Sequence, residues 1–79
     1  MYTVYVLKSE KDSNFYIGCT SDIENRIKMH NSGFVISTKG RRPLKLIYCE
    51  KYYDKYEAFK IERFYKTAKG KKILKNKIV

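Results

Sequence analysis

Two β-prone runs joined by a polar turn open the chain, and no other feature restricts its fold as much. Tyr2-Thr3-Val4-Tyr5-Val6-Leu7 is aromatic and β-branched and predicts a largely buried strand. Ser9 to Asn14 is a polar turn, and Phe15 to Cys19 predicts a second strand that halts at Gly18 or shortly after. Short strands across so short a connection imply an antiparallel hairpin.

Helix signals follow. Ser21 and Glu24 form a Ser-x-x-Glu capping box. It opens a helix from Asp22 to about His30, which Asn31-Ser32-Gly33 ends, with Gly33 supplying the left-handed exit. Phe34 to Pro43 reads as an irregular loop. Leu44 to Tyr52 predicts a third strand, with Leu44, Leu46, Tyr48 and Glu50 on one face and Ile47 and Cys49 on the other. Asp54 and Glu57 mark a second helix start, and that helix should run to about Ala68. Gly70 is expected to break it, leaving a short terminal helix over Lys71 to Lys77 with Ile73 and Leu74 docking. The order is β-β-α-β-α-α. This is an α+β fold, a three-stranded antiparallel sheet with helices packed on it, in one domain over residues 1–79.

So short a chain has a core worth only roughly 3–5 kcal/mol. Eight Tyr and four Phe supply large buried areas for it. Charge says more about function. There are 18 Lys and Arg against 8 Asp and Glu, a formal net charge of +10. Such an excess implies a polyanionic partner, because each neutralised phosphate releases condensed counterions. No stretch approaches the ~18 apolar residues of a membrane span. The N-terminal run lacks a basic segment and a small-residue cleavage site, so a cytoplasmic setting is expected. Cys19 and Cys49 fit no zinc or redox spacing and are expected to be reduced and partly buried.

Several polar residues fall on faces that should be buried. On the first helix, Ile23, Arg26, Ile27 and His30 share the inward stripe. Snorkelling accounts for either polar residue alone. Both together, one turn apart, favour a functional site. On the later helix, Ala58, Ile61 and Tyr65 point inward and Glu62 is the remaining member of the stripe. A buried carboxylate needs a partner: a salt bridge to Arg26 or a nearby Lys, a metal ion, or a role as acid or base. Tyr5 and Tyr16 can lie close together across the hairpin, where core packing explains each taken singly.

Phosphodiester hydrolysis uses such parts. A carboxylate holds a divalent ion that polarises the phosphate. A phenol or imidazole orients or deprotonates water. A guanidinium neutralises charge on the phosphate oxygens.

The pattern resembles the GIY-YIG nucleases. Tyr16-Ile17-Gly18 is similar to the second half of their signature, and Thr3-Val4-Tyr5 stands where the first half belongs. Arg26 lies eight residues after Gly18, and His30 four after that. Ala58-Phe59-Lys60-Ile61-Glu62-Arg63 resembles the family's metal-binding helix. Thr38-Lys39-Gly40-Arg41-Arg42-Pro43, leading into Leu46-Ile47-Tyr48, resembles the small stand-alone bacterial branch. The resemblance implies that Tyr5 and Tyr16 flank the attacking water, one of them as general base with help from His30. It implies that Arg26 contacts the scissile phosphate. It implies that Glu62 holds one divalent ion, Mg2+ or Mn2+, with no small-molecule cofactor. The substrate would be DNA, structured or branched, cut in repair or processing by a monomer or weak homodimer. The first triplet departs from the family pattern, but its Tyr is retained.

Lys39, Arg41, Arg42 and Lys45 cluster near the long loop, and Lys66 and Lys69 begin a basic C-terminal region. Both fit a phosphate footprint with weak sequence preference. The competing readings are a non-catalytic nucleic-acid-binding module on the same scaffold and a basic adaptor for acidic proteins or membranes.

Overall fold

The computed structural model describes residues 1–78. In chain order the elements are β1 (Tyr2–Ser9), β2 (Phe15–Thr20), α1 (Ile23–Asn31), α2 (Ile36–Lys39), β3 (Leu44–Tyr52), α3 (Lys55–Tyr65) and α4 (Ala68–Ile78). The expected α+β architecture is present. The sheet is antiparallel in the order β2-β1-β3, which makes β1 central. No helix among these residues is long and apolar enough to cross a membrane.

The central position explains why β1 is apolar without a break. Its side chains alternate between two covered faces. Val4 and Val6 join Ile17, Ala58, Tyr65 and Leu74 in one core, beneath α3 and α4. Tyr5 and Leu7 join Leu44 in the other, with Ile23 and Ile27 of α1 packed against them. All four of these β1 side chains are at most 1% exposed.

The structure corrects four local expectations. The first cap is Asp22 and not Ser21: the Asp22 carboxylate accepts from the Asn25 backbone N–H at 3.2 Å, and α1 starts at Ile23. Gly33 does make the left-handed exit, at φ 83°. Phe34 N–H donates to Met29 O and Gly33 N–H to His30 O, closing the helix end. The loop from Phe34 to Pro43 contains α2, a single helical turn.

In β3 one alternation does not hold throughout. A register shift opposite Val6 and Leu7 puts Leu44 and Leu46 on the α1 face, and Tyr48, Glu50 and Tyr52 on the face of α3 and α4. Finally, Gly70 does not break a helix. α3 ends at Tyr65, and the Thr67 hydroxyl caps the start of α4 by accepting from Gly70 N–H at 3.0 Å. Gly70 lies inside α4, where any Cβ would collide with the Phe64 carbonyl. It lets the two helices approach. Cys19 is half-buried as expected, Cys49 is exposed, and both are free.

Candidate active site

Register places the two tyrosines. Tyr5 pairs with Gly18 across the hairpin, and Leu7 pairs with Tyr16, so Tyr16 is the diagonal neighbour of Tyr5 on the same face. Their ring centroids are 6.4 Å apart. Gly18 has no side chain to occupy the space above it, and the Tyr5 phenol lies there.

α1 delivers the third ring. His30 ends the inward stripe of Ile23, Arg26 and Ile27 and is fully buried. The next residue, Asn31, fixes this end of α1 to β3: its amide accepts from Leu44 N–H at 2.8 Å and donates to Leu44 O at 3.0 Å. The imidazole meets Tyr16 edge-on at 5.0 Å between centroids and Tyr5 at 5.9 Å.

A hydrogen-bond chain runs through this imidazole. The Tyr5 hydroxyl lies 3.0 Å from His30 Nε2, and Thr38 Oγ1 lies 2.8 Å from His30 Nδ1. Tyr5, His30 and Thr38 are each at most 1% exposed. The Thr38 hydroxyl donates to Val35 O at 3.4 Å. In the tautomer that matches this donation, Nδ1 carries the proton toward Thr38 Oγ1 and Nε2 accepts from the Tyr5 phenol. Sequence reasoning missed Thr38 because it read α2 as loop. A Thr directly before the basic Lys39–Arg42 run was the available signal.

Charge bears on the chain from both sides. Burial pushes the Tyr5 phenol well above its ordinary pKa; Tyr16 and the Glu62 carboxylate push it further, and Arg26 opposes them. Burial also lowers the His30 pKa, with Arg26 adding to the effect, so the ring is held neutral. Arg26 is half-buried beside these groups. Glu62 stands on α3, on the opposite side of the sheet from α1. Its helix, α3, covers the face carrying Val4, Val6 and Cys19, because alternation along β1 sends Tyr5 the other way. The Glu62 charge still reaches both Tyr5 and Cys19.

The Glu62 side chain is 17% exposed, and Oε2 forms an ion pair with Lys66 at 3.1 Å. Among the described residues no cluster of three or more His, Cys, Asp or Glu could hold a metal ion. A cation at Glu62 would have one protein ligand and complete its shell with water and phosphate oxygens. That arrangement suits Mg2+, which retains waters and commonly binds through one or two carboxylates.

The basic residues divide into two regions. Lys39 and Arg42, with Lys11, line an open hollow near α2, and Lys45 is exposed on β3. Arg41 is tied inward: it pairs with Asp12 at 3.3 Å and donates to Phe15 O at 3.3 Å. Lys66 is engaged by Glu62, and Lys69 is exposed on α4.

The GIY-YIG catalytic domain family matches residues 1–77. The UPF0213 protein YazA of Bacillus subtilis is 42% identical over 69 residues, covering 86% of this chain and 69% of its own length. The UPF0213 protein SSP2268 of Staphylococcus saprophyticus is 44% identical over 73 residues, covering 91% of this chain and 88% of its own. The solution NMR structure of the UPF0213 protein BH0048 from Bacillus halodurans superposes with a TM-score of 0.60 at 34% identity. It covers 96% of this chain and 84% of that one.

Proposed function

The chain belongs to the GIY-YIG family, a family of endonuclease type, and from that premise we propose that it hydrolyses phosphodiester bonds in DNA with one divalent cation, Mg2+ or Mn2+, at Glu62. The observation that carries this reading is the buried chain from Thr38 through His30 to the Tyr5 phenol, with the charges of Arg26 and Glu62 both acting on that phenol. A core tyrosine needs a partner for its hydroxyl, but it does not need a basic imidazole nitrogen that is itself oriented by a buried threonine.

Each residue has a distinct task. Burial keeps the Tyr5 phenol protonated at rest, so it acts as a relay. It takes a proton from water as its own proton passes to His30 Nε2. Thr38 holds Nδ1–H and keeps Nε2 in the accepting state. Tyr16, whose hydroxyl makes no hydrogen bond among the described residues, orients the water or the phosphate. Arg26 neutralises charge that develops on the phosphate oxygens. A cation bound at Glu62 would polarise the phosphate and stabilise the leaving oxygen. Lys66 would then leave its partner and be free for the DNA backbone. Lys39, Arg42, Lys45 and Lys69 supply further phosphate contacts, which position DNA without reading its sequence.

The test is incubation of purified protein with duplex, flap, junction and single-stranded DNA, with and without Mg2+ or Mn2+. Metal-dependent nicking of at least one substrate is expected. Salt-sensitive binding with no turnover on any substrate would make the chain a nucleic-acid-binding module on a nuclease scaffold.

A further inference from the structure

Across the sheet from Tyr5 and His30, a cleft of about 340 Å3 separates the β1–β2 turn from α4. Its buried floor is Ile17 and Leu74, with half-buried Phe15 beside them. Exposed Asn14, Lys71 and Lys75 stand around its mouth. We infer that this cleft binds one unpaired nucleotide, its base against Phe15 and Leu74 and its phosphate on Lys71 and Lys75.

The chemistry of the lining selects this ligand. Lys71 and Lys75 are one helical turn apart and therefore share a face of α4. Neither forms an ion pair among the described residues, and no Asp or Glu occurs anywhere in α4. Two free ammonium groups at one mouth call for an anion. A bare phosphate would leave the aromatic and aliphatic floor unused, and an uncharged apolar ligand would leave the lysines unused. A nucleotide satisfies both, since bases stack on aromatic side chains while lysines hold the backbone. The Asn14 amide, which makes no side-chain hydrogen bond among the described residues, offers donors and an acceptor to a base edge. The volume lies at the small end of ligand pockets, roughly 300–1,000 Å3.

Position links the cleft to the candidate active site. β2 is an edge strand, and Phe15 and Tyr16 are consecutive on it, so their side chains project to opposite faces. A DNA strand lying at Tyr16 can cross the β2 edge and place a neighbouring nucleotide in the cleft. In choosing a nucleotide this inference rests on the nucleic-acid reading above, but it does not depend on cleavage.

Amide NMR spectra of the whole chain test it, with thymidine monophosphate, inorganic phosphate and a short oligothymidylate as probes. The two nucleotide probes should shift Asn14, Phe15 and Leu74, with inorganic phosphate at least about tenfold weaker. Replacing Lys71 and Lys75 together by Gln should weaken nucleotide binding about tenfold, whereas the charge-matched Lys28→Gln, Lys51→Gln pair, exposed on α1 and β3, should change it less than about twofold. Oligothymidylate binding about tenfold tighter than the mononucleotide would assign the site to a DNA strand; equal affinities would assign it to a free nucleotide. The inference is overturned if inorganic phosphate reproduces the shifts and affinity, or if the two double variants behave alike. Cleft binding without cleavage of any DNA would remove the nuclease reading alone. Cleavage with no shift at the cleft would remove this inference alone.

Discussion

The Tyr5 phenol lies over its cross-strand partner Gly18 so closely that any Cβ there would overlap the hydroxyl. Glycine at this position is thus a matter of space, and the space is what lets Tyr5 reach His30 at 3.0 Å. Gly18→Ala should destabilise the fold by about 1–3 kcal/mol through overpacking. It should also displace the phenol from Nε2, so nicking falls by far more than the lost fraction of folded protein. Thermal unfolding and initial cleavage rates on the same preparations separate the two effects. Full activity in Gly18→Ala would show that the Tyr5–His30 contact is dispensable.

Thr38 makes a second point of control. Thr38→Val keeps the shape but removes the acceptor for His30 Nδ1–H, leaving a buried donor unpaired at a cost of about 1–3 kcal/mol. The imidazole should redistribute between tautomers, which ring-nitrogen NMR shifts report directly, and cleavage should drop in parallel. Thr38→Ser should restore both. An unchanged tautomer in Thr38→Val would mean that another group sets the ring.

Glu50 dictates an acid limit to stability. Burial alone would raise its pKa, but hydrogen bonds from the Tyr48, Tyr52 and Tyr65 phenols and the Lys77 ammonium outweigh burial and hold it at about 2, below an ordinary 4.5. Because the folded value is the lower one, the stabilisation is complete above pH 4.5 and is lost as pH falls toward 2. Its size is about 3 kcal/mol. Glu50→Gln should lower stability at neutral pH by a similar order and flatten the loss between those two pH values. On the alkaline side the sign reverses. Hydrogen bonding to Glu50, with burial, pushes Tyr48 up to about 12, so its contribution is present below pH 10 and fades above it. Denaturant titrations across pH check both limbs, and an acid midpoint unmoved by Glu50→Gln would contradict the assignment.

How much of this was legible in the sequence depended on whether the signal was local. The β1–β2 hairpin, the inward stripe of α1 and the Gly33 exit are set by side-chain period and backbone chirality, so the residues announce them. The candidate site residues stood out for the same reason: Arg26, His30 and Glu62 violate the period of their own helices. What was missed is set by contacts between distant segments. The β3 register shift depends on pairing with β1, so alternation alone carried Tyr48 and Glu50 to the wrong face. Gly70 looked like a breaker because the Phe64 carbonyl it accommodates belongs to another helix. Thr38 belongs to a helix of four residues, too short for a periodic pattern. Asp22 took the cap from Ser21 because both are good caps one residue apart, and only the backbone at Asn25 decides between them.

The central claim is that Glu62 and Arg26 serve chemistry on DNA and do not merely hold the fold. Lys66, 51% exposed, can be rehydrated when its mostly buried partner is removed, so Glu62→Ala should leave thermal stability nearly unchanged. The most direct measurement is the rate of Mg2+-dependent nicking by wild-type and Glu62→Ala protein, on the substrate that wild type cuts fastest, with Arg26→Ala alongside. Each variant should stay folded and lose at least about a hundredfold in rate, the usual scale for removing one group that stabilises transition-state charge. Nicking by folded Glu62→Ala at the wild-type rate would contradict it.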